Sequence, residues 1–164
     1  MRGLKLAAIA AFSVLVVMLI MVGYLFMTSE VRVELVTAQG IPADNDPDAF
    51  AELMKAVDEA TFQGTVFQKP QEWKAASEYV YLTYTIRLQN DCLVPIDMIE
   101  AQVVPQSTDL LQIGDTTVRA LSPKTAGEFQ VQVLVPKDTH AVRDLIITYY
   151  VWGVSFTLRT TYGV

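Results

Sequence analysis

Few side chains in this chain are of a kind to catalyse or to hold a ligand: the acidic run Asp44-Asn45-Asp46-Pro47-Asp48, a single histidine at 140, a single cysteine at 92, and a scatter of Tyr and Trp. Carboxylates at i, i+2 and i+4 are how a calcium loop begins. Such a loop also needs Gly at its sixth position and Glu at its twelfth, where this chain has Ala49 and Lys55. With the turn and the bidentate ligand both missing, the run reads as carboxylates complementing a helix N-terminus. A weak extracellular calcium site is the alternative, and no metal or other cofactor is expected.

His140 lies in the polar stretch Lys137-Asp138-Thr139-His140 and reads as a solvated loop residue. One histidine excludes a two-histidine zinc site. Neither a Gly-x-Ser-x-Gly nucleophile elbow, a phosphate-binding glycine loop nor a dinucleotide fingerprint occurs. Paired carboxylates of the glycosidase kind meet in space rather than in sequence, and nothing singles out a pair. The expectation is a protein that is not an enzyme; Asp or Glu residues buried together would reverse it. Cys92 has no intrachain partner and reads as a half-buried turn residue after Asn90 and Asp91, with an intermolecular bridge as the alternative.

The aromatic residues supply the remaining functional signal. Tyr79 and Tyr81 fall on the outward face of a strand, while Tyr149, Tyr150 and Trp152 cluster beside a hairpin turn. Tyr and Trp are favoured at protein interfaces and on sugar-binding surfaces, and they are also ordinary strand formers. Tyr79, Tyr81, Tyr150 and Trp152 are therefore the candidate interaction surface.

Such residues must be positioned by the elements around them, and the first element is the most distinct. Leu6 to Met27 is an apolar run of 22 residues, preceded by Arg2 and Lys5 and followed by Thr28, Ser29 and Glu30. At a rise of about 1.5 Å per residue it covers roughly 33 Å, enough for a hydrocarbon core of about 30 Å. A cleaved signal peptide would have a shorter apolar core with small residues after it. Here the small residues Ala7, Ala8, Ala10 and Ala11 open the run, and Tyr24, Leu25, Phe26 and Met27 close it. The reading is an uncleaved signal anchor embedded in the bilayer through residues 6–27.

Arg2 and Lys5, as the positive flank, set the topology: N-terminus in the cytoplasm, C-terminal body outside. After the anchor the chain carries ten basic and 18 acidic residues, a net of −8. That sign disfavours nucleic acid and anionic headgroups as partners. The absence of Cys pairs and of Asn-x-Ser/Thr acceptors suits a bacterial envelope, so the expected location is the plasma membrane of such a cell.

The body reads as one domain, residues 30–164, following a tip and anchor of residues 1–29. Its clearest strand is Tyr79 to Gln89, where Val80, Leu82, Tyr84, Ile86 and Leu88 alternate with polar or aromatic partners. The same period of two runs through Phe129, Val131, Val133 and Val135, and through Val154, Phe156, Leu158 and Thr160. Further strands are expected at Val31 to Ala38, Ile96 to Val104, Thr116 to Leu121 and Leu145 to Val151, with a weaker one near Thr65 to Gln68. Val151-Trp152-Gly153-Val154 reads as a tight hairpin turn. One helix interrupts the pattern at about 47–62: Asp46 caps it, Pro47 takes the first position, and Phe50, Leu53, Met54 and Val57 recur at helical spacing. Its apolar stripe either packs on the core or docks a partner. The predicted fold class is mainly β: a two-layer antiparallel sandwich with one inserted helix, behind a single transmembrane helix.

The segments YVYLTYTIRLQNDCLVPIDMIEAQVV, VRALSPKTAGEFQVQVLV and LIITYYVWGVSFTLRT resemble strands of immunoglobulin-like and fibronectin-type-III-like modules of bacterial envelope proteins, over roughly residues 78–161. Asn90 matches the turn after a long strand, and Leu121, Pro123 and Gly127 match the loop before a Val-rich one. The Cys…Trp…Cys signature of antibody domains is absent. The resemblance implies a sandwich that binds, spaces or braces other envelope components. The expected function is a non-catalytic binding or assembly module with a membrane-proximal protein partner. The alternative is a module that binds cell-wall glycan or another surface polymer.

Overall fold

The computed structural model describes residues 2–27, 30–114 and 119–162. It is mainly β, with an N-terminal apolar helix, α1 (Arg2–Met27), followed by a sandwich-like body. The Lys5–Leu25 stretch of α1 is long and apolar enough to cross a membrane, and none of its side chains is buried against the body.

The body comprises β1 (Val31–Pro42), α2 (Pro47–Asp58), β2 (Gly64–Val66), β3 (Tyr79–Asn90), β4 (Asp97–Val103), β5 (Leu111–Ile113), β6 (Ala126–Pro136), β7 (Arg143–Val151) and β8 (Val154–Tyr162). One sheet runs β1-β3-β6-β5-β2 and the other β4-β7-β8, and every pairing is antiparallel. The period of two in the sequence decides which side chains meet between the layers. Leu82, Tyr84, Ile86 and Leu88 of β3 and Phe129, Val131, Val133 and Val135 of β6 face Ile99, Val103, Leu145, Ile147, Tyr149 and Val151 of the smaller sheet in one core. The β7–β8 turn is the expected tight hairpin: Val151 pairs with Val154, and Trp152 and Gly153 both take positive φ, 49° and 78°.

A second, smaller core lies on the other face of the five-stranded sheet. The Asp46 carboxylate accepts a hydrogen bond from the Ala49 amide at 3.0 Å, and Pro47 occupies the first helical position, so α2 starts where the sequence places it. Phe50, Met54 and Val57 bury against Tyr79, Leu110, Leu111 and Leu134. At about 1.5–3 kcal/mol per buried side chain they contribute roughly 5–9 kcal/mol, enough to hold a short helix that is marginal by itself. The chain thus passes from β1 at one edge of the sheet to β2 at the other, over the sheet's outer face.

Several expectations are corrected. The helix ends at Asp58, not near residue 62, because Ala60 turns left-handed (φ 55°) while Ala60 and Thr61 donate to the Val57 and Ala56 carbonyls. This is the paired closing bond pattern that normally recruits glycine. The three-residue strand β5 has no counterpart among the expected strands. Of the expected strand Thr116 to Leu121, residues 116–118 lie outside the described residues, and Leu121 forms a single bridge with Ile96. Cys92 is fully buried, not half-buried, and its thiol lies 3.6 Å from the Glu30 carbonyl oxygen.

Because Ala60 pays a left-handed penalty that glycine avoids, Ala60→Gly is expected to stabilise the body by about 1 kcal/mol. Urea unfolding of the full chain in detergent, followed by far-ultraviolet circular dichroism, measures it; an unchanged or lower midpoint contradicts this account of the helix end.

Candidate functional site

The strand directions define two ends of the sandwich. At the end next to α1 lie Glu30, the loop 91–96 between β3 and β4, the turn 122–125 before β6 and the β7–β8 hairpin turn. At the far end lie α2, the loop 104–110 and the connection 137–142.

The α1-side end is organised by Asn90. Its buried side-chain amide donates to the carbonyls of Val94 (3.1 Å), Leu121 (3.2 Å) and Ser122 (3.0 Å), and its Oδ1 accepts from the Cys92 amide at 2.9 Å. The same residue's backbone amide donates to Thr125. The turn and the Leu-x-Pro loop singled out in the sequence are therefore one hydrogen-bonded unit. Next to it, the Asp91 amide donates to the Glu30 carbonyl at 2.9 Å, which ties the entrance of the body to this unit. The Arg32 guanidinium bonds the Asp91 carboxylate and holds its carboxyl below the usual carboxylate range, while the Lys124 ammonium donates to the Asp91 carbonyl.

The far end holds a buried ion pair that no local sequence signal announces. Arg143 and Asp109 are both fully buried, with Nε to Oδ2 at 2.9 Å and Nη2 to Oδ1 at 2.6 Å. The remaining guanidinium donors reach the His140 and Val142 carbonyls, and Asp109 also accepts from the Gln106 amide. A buried pair this fully bonded fixes geometry, since either charge alone would be left in a low-dielectric interior. Beside it the Tyr84 hydroxyl donates to the Ala141 carbonyl at 2.7 Å, and burial pushes that hydroxyl up to about 12.

The four candidate surface aromatics do not form one surface. Tyr79 is on the outward side of β3 as the alternation implies, yet α2 covers it: its ring stacks on Phe50 at 5.4 Å and meets Trp73 edge-on at 6.2 Å. With 4 % exposure it is core, which corrects its placement among surface residues. Tyr81 is half-buried beside the same helix, and burial raises its hydroxyl. Tyr150 is half-buried near the opposite end, paired with Asp97 and Ser155, and Trp152 is exposed on the adjoining turn. Leu6 and Lys5 are exposed at the start of α1, whose bounds include Arg2 and Met27.

Reactive groups are dispersed. Asp46 is engaged in the helix cap, and His140 is exposed with its carbonyl bound by Arg143. Among the described residues no cluster of His, Cys, Asp and Glu has the makings of a metal site, and Asp109 is the one buried carboxylate. A concavity of about 400 Å³ opens where the five-stranded sheet overhangs β4. Its described lining includes Glu100 and Arg119 but no His or Cys. Arg119 lies over the Phe129 ring at 5.3 Å. The back of this cleft is closed by Gln112, whose amide accepts from Val103 N–H at 2.9 Å and donates to the Ala101 carbonyl at 3.3 Å. It thereby takes the place of a neighbouring strand on the β4 edge.

No protein-family model and no curated protein matches this chain.

Asn90→Ala takes one donor each from the Val94, Leu121 and Ser122 carbonyls and the side-chain acceptor from the Cys92 amide, and a loss of about 2–4 kcal/mol is expected. Asn90→Asp should be no better, because a carboxylate cannot donate to carbonyls. Denaturant midpoints of the two variants decide: rescue by Asp would show that size, not the donated bonds, matters at this position.

Proposed function

We propose that the chain is a single-pass membrane protein, N-terminus in the cytoplasm, whose immunoglobulin-like sandwich lies outside the cell membrane as a non-catalytic binding or assembly module of a bacterial envelope, with a membrane-proximal protein partner. The observation that carries this reading is the unburied apolar helix α1, followed after three residues by β1. A tether that short keeps the module at the bilayer, where its partner must also be. Arg2 and Lys5, ahead of the apolar stretch, favour retention of the N-terminus in the cytoplasm.

Further support comes from the body. Two antiparallel layers with a continuous core fit the immunoglobulin-like resemblance, and Asn90 bonding to Leu121 and Ser122 joins the motifs that carry it. The dispersal of titratable groups favours binding over chemistry. The glycan-binding alternative would be favoured by aromatics aligned on one open face, and here they are split between two ends and range from buried Tyr79 to exposed Trp152.

The test is made in bacterial cells with the full chain tagged at its C-terminus and an anchor-only fragment as control. The chain is expected to stay with membranes through alkaline extraction, and its tag to be digested by protease added outside intact spheroplasts. In-cell crosslinking is expected to capture one stoichiometric membrane protein that the anchor fragment does not. Release by alkali would overturn the anchor, protection until lysis would overturn the orientation, and capture of nothing beyond the control would overturn the assembly role.

A further inference from the structure

We infer that the α1-side end of the sandwich is itself a bilayer-contacting surface, with the side chains of Trp152 and Leu93 entering the interfacial layer of the membrane. The inference rests on the reading of α1 as a bilayer span and adds to it an orientation and a set of lipid-facing residues.

Three observations converge on this end. The first is connectivity. Val31 follows Met27 by four residue steps, which at full extension is about 14 Å between their Cα atoms. Glu30 in turn is bonded to Asp91, the first residue of the loop 91–96. That loop leads from the end of β3 to the start of β4, and Asp97 of β4 pairs with Tyr150, two residues before Trp152. The loop and the hairpin turn therefore belong to the end that the tether holds nearest the apolar helix.

The second observation is apolar exposure at those two turns. Leu93 is 58 % exposed, Trp152 52 % and Val154 48 %. Trp152 has φ 49°, a region where a bulky side chain is strained and Asn or Gly is favoured in a two-residue hairpin. Trp is, however, the residue best suited to the boundary between headgroups and acyl chains, where one edge of the indole is dry and the other wet.

The third is charge. The body carries −8, but the described charged groups around this end, Glu30, Arg32, Asp91, Asp97 and Lys124, sum to −1, and Asp91 is already engaged by Arg32 and Lys124. The acidic character of the domain is thus directed away from the surface that approaches lipid headgroups. With no basic cluster in place, attraction comes from the aromatic and aliphatic side chains, and zwitterionic lipid suffices as the occupant.

The two tryptophans make the test internal to the molecule, because Trp73 sits at the far end against Tyr79. The full chain is reconstituted in phosphatidylcholine nanodiscs whose lipids are brominated at the acyl carbons nearest the headgroup. The Trp73→Phe variant reports on Trp152 and the Trp152→Phe variant on Trp73, with near-ultraviolet circular dichroism confirming the fold of each. Trp152 is expected to lose most of its emission to the brominated lipid, and Trp73 to lose none. Equal emission with and without bromine in the Trp73→Phe variant, while the chain remains in the discs through alkaline flotation, overturns the surface and leaves the span intact. A chain that leaves the discs overturns the span and this inference with it.

Discussion

Three residues separate the end of α1 from the first strand of the body, and that covalent limit governs how everything after it can be used. A folded domain on a long linker samples many orientations. One held within about 14 Å presents one end to whatever holds the helix. The structure spends a dense set of bonds at that end. Asn90 ties the β3–β4 loop to the Leu121–Ser122 segment, and Asp91 ties both to Glu30. The entrance of the body at Glu30 is therefore fastened to a hydrogen-bonded unit rather than left as a loose first strand.

The far end is built by different means. There the Arg143–Asp109 pair and the Tyr84 hydroxyl lock the loops of the main core, while α2 lies across the outer face of the larger sheet and buries Tyr79, Leu111 and Leu134. Covering that face removes an apolar surface that an exposed sheet would otherwise offer to other chains. Gln112 performs a related service for the β4 edge by satisfying backbone groups that a foreign strand would seek. These devices confine the places where a partner can add to the body, and they leave β8 with a single neighbouring strand.

Much of the architecture was legible in the sequence because it follows from short-range periodicity. Alternation in β3, β6 and β8 identifies the inward side chains, Val151 to Val154 announces its hairpin, and Asp46-Pro47 marks the start of α2. What escaped depends on contacts between distant residues or on a residue doing an unfavoured job. Alternation tells that Tyr79 points away from the main core but not that a helix covers it. Ala60 ends α2 in a conformation that glycine would have advertised. Asp109 and Arg143 lie 34 residues apart with no pattern linking them, and β5 is too short for its period to register. The chemical candidates were legible mainly as absences: Ala49 and Lys55 in place of calcium-loop residues, and one histidine. The separation of the surface aromatics into two groups needed the fold.

We propose above that the end of the sandwich bearing Asn90 faces the bilayer. Energy transfer from a dye on the body to an acceptor carried by lipid headgroups measures this most directly. The dye is placed on Ser122→Cys or on Asp138→Cys, both exposed positions, with native Cys92 shielded by burial. The strand β6 between them runs for 11 residues, roughly 36 Å at about 3.3 Å each. Strong transfer from position 122 and weak transfer from position 138 are expected if that end lies against the membrane. Equal transfer from both, as for a domain lying flat, or the reverse order would contradict it.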